Sequence, residues 1–259
     1  MPALHVVLAA PAAADAAARR DSGDFLHPRA EPPRPDPASP GPASPGAPRP
    51  PAGACAVGVD VLRATSTLAR AFEQGATRVI PAATVAEAFE LRGRIPDALL
   101  CGEREGKPVP GFDLGNSPFE YERSRLSGRP LVFASTNGSQ ALLLAAGASR
   151  TLLAAFVNAS AVIERLAGEQ EVWLIASGKL GRPSLEDLAC VGWIVRALGG
   201  AASPAARAVA ALAPRDALGI RTLVQGASQG RYLRSLGPAY AADVEFCATL
   251  DSVPVVPAV

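Results

Sequence analysis

Apolar and polar residues change places along this chain with two different periods. Short apolar runs that end at glycine, proline or polar turns predict buried strands, whereas longer stretches with an apolar residue every three or four positions predict helices. The predicted strands are residues 4–8, 56–62, 79–81, 98–102, 131–135, 151–154, 172–177 and 253–256. The predicted helices are residues 67–74, 85–92, 139–146, 159–167 and 185–198, with a helical region from 204 to 236.

Strands and helices therefore follow one another along most of the chain. This order is typical of an α/β layered fold with a largely parallel sheet. The length of 259 residues allows one large domain or two small ones, and a hydrophobic fraction of 49% is sufficient for a sizeable core. We predict a single domain over residues 1–259.

Residues 15–53 interrupt this alternation. Residues 28–51 alone hold 11 of the 25 prolines, and the segment has few bulky apolar side chains to bury. Such a composition predicts a disordered or loosely polyproline-like insertion. Because the free-energy cost of closing a loop grows slowly with its length, the first strand can still pair with those that follow.

Composition excludes several functional classes. The net charge of +1 gives no sign of a nucleic acid or a membrane as partner. The four cysteines are widely spaced, and the two histidines stand near the start, so zinc sites and histidine-based catalysis are not expected. No stretch approaches the roughly 20 apolar residues that span a bilayer, and a basic signal-peptide region is missing. We expect a reduced, cytoplasmic protein.

A weak internal repeat relates two strand–turn–helix units. A shift of 72 positions aligns residues 75–78 with 147–150 and residues 65–67 with 137–139. Identity this low also arises by chance. If the repeat is real, both helices open with polar, hydroxyl-rich turns.

The first of these turns contains Asp60, Arg63, Thr65, Ser66 and Thr67. A helix N-terminus presents free N–H groups and a positive dipole end, which suit phosphate. Asp60 would serve as a metal ligand or a nucleophile, and Arg63 would grip phosphate in a bidentate manner. The alternative is that a hydroxyl caps the helix while the charged side chains are solvated.

The second turn contains Thr136, Asn137, Gly138 and Ser139. Asn-Gly tolerates a left-handed turn, and the hydroxyls would either cap the helix or bind an anion. Taken alone, this turn favours capping. Two such turns at one edge of a parallel sheet make a shared anion-binding site the stronger interpretation.

Residues 102–118 contain four glycines and three prolines, so we predict a shaped loop rather than a helix or strand. The loop carries Glu103, Asp113, Asn116 and Ser117, which offer oxygen ligands of the kind that hold hard cations. It also carries basic residues that suit anions. The mixture predicts a loop that holds a metal and a phosphate.

A further cluster lies in residues 178–187. Glu186 and Asp187 follow Ser184 directly in the predicted helix that begins near residue 185. Acidic residues in a first helical turn are stabilised by the helix dipole, so they need no functional explanation. Two adjacent carboxylates would equally complete a Mg²⁺ site.

Five strings of residues carry a resemblance to a known family. They are Asp60-Val-Leu-Arg-Ala-Thr-Ser-Thr, Gly102-Glu-Arg-Glu-Gly, Gly111-Phe-Asp-Leu-Gly-Asn-Ser-Pro, Thr136-Asn-Gly-Ser and Ser184-Leu-Glu-Asp. In their order and approximate spacing they resemble the 2-phosphosulfolactate phosphatases, from about residue 56 to the end of the sequence. Gly230-Arg-Tyr-Leu and Asp243-Val also resemble the C-terminal part of that family. The proline-rich segment is not a feature of that family.

The resemblance implies a three-layer α/β/α fold with a mixed, largely parallel sheet. It also implies Mg²⁺-dependent hydrolysis of 2-phospho-3-sulfolactate to 3-sulfolactate and phosphate, a step on a route to coenzyme M. The expected partner is therefore a small phosphorylated acid.

The residues and the resemblance together predict three groups of site residues. The expected catalytic residues are Asp60, Arg63, Glu103, Asp113 and Asp187. The expected Mg²⁺ ligands are drawn from Asp60, Glu103, Asp113, Glu186 and Asp187. The expected substrate and phosphate contacts are Arg63, Thr65, Ser66, Thr67, Asn116, Ser117, Thr136, Asn137, Gly138, Ser139 and Lys179.

Several alternatives stay open. Water activated by the metal or a carboxylate would attack in line, or Asp60 would form a covalent intermediate. Lys179, Arg182 and Arg104 are candidates for the sulfonate and carboxylate of the substrate. Rival functions are a phosphatase for another phosphorylated hydroxy acid and a phosphate-ligand binding protein without turnover. Sequence does not decide between a monomer and a homo-oligomer.

Overall fold

Two four-stranded sheets form the framework of residues 2–9, 48–199 and 203–259, the part of the chain that the computed structural model describes. The first sheet has the parallel order β1 (Ala3–Leu8), β8 (Glu171–Ala176), β2 (Cys55–Val59) and β7 (Arg150–Ala154). The second sheet has the order β3 (Val79–Pro81), β6 (Leu131–Ala134), β4 (Leu99–Arg104) and β5 (Lys107–Pro108). Only the β4–β5 pair is antiparallel.

Helices lie on both sides of the sheets, which confirms the predicted α/β class and is consistent with the three-layer α/β/α fold. Within the described residues they are α1 (Ala64–Glu73), α2 (Val85–Arg94), α3 (Arg123–Leu126), α4 (Gly138–Leu144), α5 (Ala159–Leu166), α6 (Leu185–Leu198), α7 (Pro204–Ala210), α8 (Ala217–Gly226), α9 (Ser228–Ser235) and α10 (Pro238–Cys247). The division of the strands between two sheets was not predicted.

Helices α1 and α4 are buried between the two sheets. Leu68 of α1 and Leu142 of α4 pack in one apolar cluster with Phe133 of β6 and Leu153 of β7. Burying such side chains removes about 25 cal/mol of unfavourable hydration per Å² of apolar surface. This packing fixes the position of both helix N-termini.

The weak internal repeat has a structural counterpart. The β2–α1–β3 unit crosses from the first sheet to the second, and the β6–α4–β7 unit crosses back. The N-termini of the two helices meet closely, because a Cβ on Gly138 would lie 2.4 Å from the Cβ of Ala64. The two polar turns therefore lie side by side, and only glycine fits at residue 138.

Three local predictions need correction. The predicted loop at 102–118 contains regular structure, since β4 continues to Arg104 and pairs with β5. The predicted strand at 253–256 is absent from the described residues; Val253 is instead buried beside Val157 and donates its N–H to the Val157 carbonyl. Helix α10 lies beyond the predicted helical region.

The structure does not test all of the predicted organisation. Residues 10–47 lie outside the described residues, so the disorder of the insertion stays a prediction, as does the single domain. The expected pairing of the first strand is confirmed, because β1 pairs with β8 in parallel. Among the described helices none has the length and apolar character to cross a membrane.

Candidate active site

A cavity of about 290 Å³ opens where the strands of both sheets end. Residues from the turns after β2 and β6, the β4–β5 hairpin, the turn after β8 and helix α9 line its wall. The lining residues are Asp60, Leu62, Arg63, Glu103, Glu105, Gly106, Asn116, Thr136, Asn137, Lys179, Leu180, Gln229 and Tyr232. Seven of the residues predicted for the site, namely Asp60, Arg63, Glu103, Asn116, Thr136, Asn137 and Lys179, thus surround one space.

Asp60 follows β2 directly and is only 7% exposed. The Ala64 N–H lies 3.4 Å from its Oδ1. Burial, followed by the negative charges of Glu103 and Glu186, raises the pKa of Asp60 to about 7. A nearby cation would stabilise the charged form of a carboxylate in these surroundings.

Glu103 projects from β4 and is held by three donors. Its Oε1 accepts a hydrogen bond of 2.7 Å from the Thr136 N–H. Its Oε2 accepts hydrogen bonds from the Gly106 N–H at 2.5 Å and from the Thr136 hydroxyl at 3.2 Å. Thr136 therefore orients a carboxylate and does not offer its N–H or its hydroxyl proton to an anion.

Asn116 lines the cavity and carries a buried side-chain oxygen without a partner in the described part of the chain. The residue is buried, and its side-chain Oδ1 has no hydrogen-bond partner among the described residues. Its backbone carbonyl accepts a hydrogen bond from the Thr67 hydroxyl, which fixes the segment against α1. A buried polar atom without a partner is costly, so this amide oxygen is available for a ligand.

Some of the residues predicted to bind Mg²⁺ lie together at the cavity, and others do not. Within the described ranges no group of three or more His, Cys, Asp or Glu side chains is arranged to hold a metal ion. The cavity does combine the carboxylates of Asp60 and Glu103 with the unpartnered amide oxygen of Asn116. Mg²⁺ commonly binds through one or two carboxylates, water and substrate phosphate, and the donor set fits that pattern.

Arg63 has a buried counter-charge that sequence reasoning missed. Its Nη1 donates to Asp243 Oδ2 at 2.5 Å, and its Nη2 donates to the Gly106 carbonyl at 2.6 Å. The Ser117 hydroxyl donates to the other oxygen of Asp243 at 2.6 Å. Asp243 belongs to a string, Asp243-Val, that resembles the family's C-terminal part, but nothing in the sequence linked it to Arg63.

The remaining hydroxyls of the two turns bond to the protein rather than to the cavity. The Thr65 hydroxyl donates to the carbonyl oxygens of Asp60 and Ala154, and the Ser66 hydroxyl donates to that of Val61. Ser139 donates its hydroxyl to the Phe133 carbonyl. None of these hydroxyls lines the cavity. These hydroxyls therefore hold the two turns in place, and their contacts to phosphate stay a prediction.

The acidic pair on α6 also lies behind the cavity wall. Asp187 accepts hydrogen bonds from the Val61 N–H at 2.8 Å and the Gly178 N–H at 3.0 Å, so it joins the turns after β2 and β8. Burial raises the pKa values of Asp187 and Glu186. Both are 2% exposed and neither lines the cavity, so the predicted direct metal contacts are not seen.

Asp113 is separated from the other predicted metal ligands. Its Oδ2 accepts hydrogen bonds from Arg92 Nη1 at 2.6 Å and from the Leu100 N–H at 2.8 Å. It is absent from the cavity lining. The carboxylate joins helix α2 to the loop after the hairpin, so this geometry does not bring it to the cavity, and its metal role stays a prediction.

Lys179 lines the cavity, whereas Arg182 is exposed and outside the lining. Lys179 Nζ donates to Gln229 Oε1 at 2.5 Å and lies 4.9 Å from the ring centroid of Tyr232. Gln229 and Tyr232 were not predicted. Gly230-Arg-Tyr-Leu resembles the family, and this string was the available signal for α9.

Comparisons with known proteins identify the family of this chain. A sequence model of the family described as 2-phosphosulpholactate phosphatase matches residues 45–259. A protein of Synechococcus sp. (strain JA-2-3B'a(2-13)) named probable 2-phosphosulfolactate phosphatase is 41% identical over 214 residues, which cover 78% of this chain and 87% of that protein. A protein of Thermotoga maritima with the same name is 38% identical over 208 residues, with 78% of this chain and 88% of that protein covered. The chain therefore belongs to the 2-phosphosulfolactate phosphatase family of phosphoric monoester hydrolases.

Proposed function

We propose that this protein is a Mg²⁺-dependent phosphatase that hydrolyses 2-phospho-3-sulfolactate to 3-sulfolactate and phosphate. The relatives carry the name of this activity. We further propose that the reaction serves coenzyme M synthesis and takes place in the cytoplasm. The observation that carries the reaction type is the cavity in which Asp60, Glu103 and the unpartnered oxygen of Asn116 occur together.

Asp60, Glu103 and Asn116 would hold the metal. Mg²⁺ bound there would supply positive charge against the phosphoryl oxygens and lower the pKa of a bound water. This cation would also relieve the repulsion that raises the pKa of Asp60. The acidic cavity thus becomes compatible with a negatively charged substrate.

The protein's own residues prepare the remaining geometry. Thr136 and Gly106 fix both oxygens of Glu103 through three hydrogen bonds. Asp243 and the Gly106 carbonyl hold the Arg63 guanidinium at the cavity wall. Fixed charges need no reorganisation during the reaction, which is the main source of electrostatic catalysis.

Two routes for the chemistry remain to be separated. Water attacks phosphorus in line while the bond to the C2 oxygen breaks, or Asp60 attacks first and water then hydrolyses the aspartyl phosphate. Rapid quenching with ³²P-labelled substrate distinguishes them. A phosphorylated Asp60 found by mass spectrometry would eliminate direct attack by water.

Phosphate release from a panel of phosphorylated hydroxy acids tests the function, with and without Mg²⁺. We expect the highest kcat/KM for 2-phospho-3-sulfolactate and a loss of roughly 10²- to 10³-fold in Asp60→Asn, the range typical of a lost electrostatic stabilisation of the transition state. Asp113→Asn is the matched control, because the same change is made outside the cavity.

Each other outcome has a defined meaning. Preference for an ester without a sulfonate would replace the proposed substrate by another phosphorylated hydroxy acid. Tight binding without release from any ester would indicate a binding protein. Equal activity in EDTA would remove the Mg²⁺ requirement.

A further inference from the structure

Lys179 is held in the cavity wall by groups that carry no charge. Its ammonium donates to the amide oxygen of Gln229 at 2.5 Å and lies 4.9 Å from the ring centroid of Tyr232. It forms no salt bridge with a carboxylate of the described residues. Since an ammonium has three donors, this arrangement leaves further donors for a ligand. The charge of Lys179 also lowers the pKa of Glu186, which is raised overall by burial, but the two side chains form no ion pair.

The backbone around Lys179 is fixed on both sides. The Gly178 N–H donates to Asp187 Oδ2 at 3.0 Å, and the Leu180 N–H donates to Asn137 Oδ1 at 2.9 Å. The Lys179 N–H and carbonyl pair with Arg182 across the turn. Asp187 and Asn137, which the sequence suggested for metal and phosphate, thus place a lysine instead.

Helix α9 connects Lys179 to the β4–β5 hairpin. Gln229 and Tyr232 are three residues apart, so they lie on the same face of the helix. The Tyr232 hydroxyl donates to the Glu105 carbonyl at 2.9 Å, beside the hairpin residues that hold Arg63 and Glu103. The lysine is therefore positioned relative to the reacting part of the cavity.

The two cationic side chains that line the cavity, Arg63 and Lys179, differ in their partners. Arg63 is balanced by the buried carboxylate of Asp243, whereas Lys179 has only neutral direct partners. The acidic lining of Asp60, Glu103 and Glu105 would repel an anion that met no such cation. Lys179 therefore supplies the attraction for negative charge outside the metal-binding part of the cavity.

We propose that Lys179 binds a second anionic group of the substrate, a sulfonate or a carboxylate, and that Gln229 and Tyr232 are positioning residues for this contact. The inference rests on the proposed phosphatase function and adds a basis for its selectivity among phosphate esters. Esters with an anionic group beside the phosphate are preferred over esters without one.

Four phosphate esters test the selectivity: 2-phospho-3-sulfolactate, 2-phospholactate with a carboxylate only, 1-sulfopropan-2-yl phosphate with a sulfonate only, and isopropyl phosphate with neither. In Lys179→Met, kcat/KM for the anionic esters relative to isopropyl phosphate falls roughly 10- to 100-fold, as expected for a lost charge-assisted hydrogen bond. Loss confined to the sulfonate or to the carboxylate ester identifies the group that is bound.

Two variants and one control make the result specific. Gln229→Glu lowers the same ratio, because the new carboxylate neutralises the ammonium, while Lys179→Arg retains part of the selectivity. Lys107→Met removes the only other lysine, which is exposed on β5, and leaves the ratio unchanged. Circular dichroism melting shows which variants are folded.

A uniform loss over all four esters in Lys179→Met would overturn the inference while the phosphatase function stood. If the wild-type protein hydrolyses no ester, the proposed function fails, and calorimetry with 3-sulfolactate decides the inference separately. Weaker binding to Lys179→Met than to the wild type supports it, and equal binding overturns it.

Discussion

Asp60 and Asp243 are both buried aspartates beside Arg63, yet their surroundings differ. Asp243 pairs with the arginine and accepts a hydrogen bond from Ser117. Asp60 lines the cavity, and burial together with the negative charges of Glu103 and Glu186 raises its pKa. Asp243 has a cationic partner within the protein, whereas Asp60 forms no ion pair among the described residues.

This difference shows how the acids of the protein divide between structure and chemistry. Asp113, Asp187 and Asp243 bond to guanidinium, hydroxyl or backbone N–H groups, and they hold segments together. Asp60 and Glu103 line the cavity. The residue type alone does not decide the role, and neither does the number of partners, since Glu103 also accepts three hydrogen bonds. The position of each carboxylate relative to the cavity does.

The largest effect on stability is expected from Asp243→Asn. This substitution leaves the buried Arg63 without its counter-charge, and breaking a buried ion pair costs about 3–5 kcal/mol. Urea unfolding with and without the substitution measures the loss. A double-mutant cycle with Arg63→Met isolates the pair, and a coupling energy near zero would contradict the assigned role.

Mg²⁺ should stabilise the protein more at pH 8 than at pH 5. The pKa of Asp60 rises from 3.8 to about 7 on folding, so between these values the folded state binds more protons than the unfolded state. The contribution of Asp60 to the free energy of unfolding therefore falls as the pH rises through this range. Bound Mg²⁺ removes the repulsion and adds about 2.7 kcal/mol at a concentration one hundred times its Kd.

Melting temperatures at both pH values, with and without Mg²⁺, measure this effect. Asp60→Asn should abolish the pH dependence of the Mg²⁺ response. An equal response in the wild type at pH 5 and pH 8 would show that Asp60 is not coupled to the metal.

The smallest effect on both stability and activity is expected from Asp113→Asn. The ion pair with Arg92 is about one-third exposed, and the asparagine oxygen can still accept from the Leu100 N–H. Such pairs contribute about 1 kcal/mol or less, and kcat/KM should change by less than about twofold because the side chain lies outside the cavity. A loss of activity comparable with that of Asp60→Asn would restore Asp113 to the metal site.

The sequence predicted the order of the elements better than their arrangement. Apolar periodicity is local, and it located β3 at its observed ends, Val79–Pro81, and α6 at Leu185–Leu198. It contains no information on which strands pair, so the division into two sheets was missed. The Glu103–Arg104 end of β4 was missed because Gly102 indicates a loop in the sequence, whereas in the structure it permits the close approach of Ala134.

The candidate site was predicted as a set of segments rather than as a set of contacts. Asp60, Glu103, Asn116 and Lys179 were named from the sequence and do line the cavity. The hydroxyls of Thr65, Ser66 and Ser139 could not be assigned in advance, since a hydroxyl suits a backbone carbonyl as well as a phosphate.

The bond between Arg63 and Asp243 joins residues that are 180 positions apart. Contacts of such high sequence separation form late, because the entropy of closing the intervening chain must be overcome first. A ribosome-bound fragment that ends before α10 would hold Arg63 without its partner and the hairpin without its full support. The appearance of phosphatase activity during synthesis would then report the arrival of the last helix.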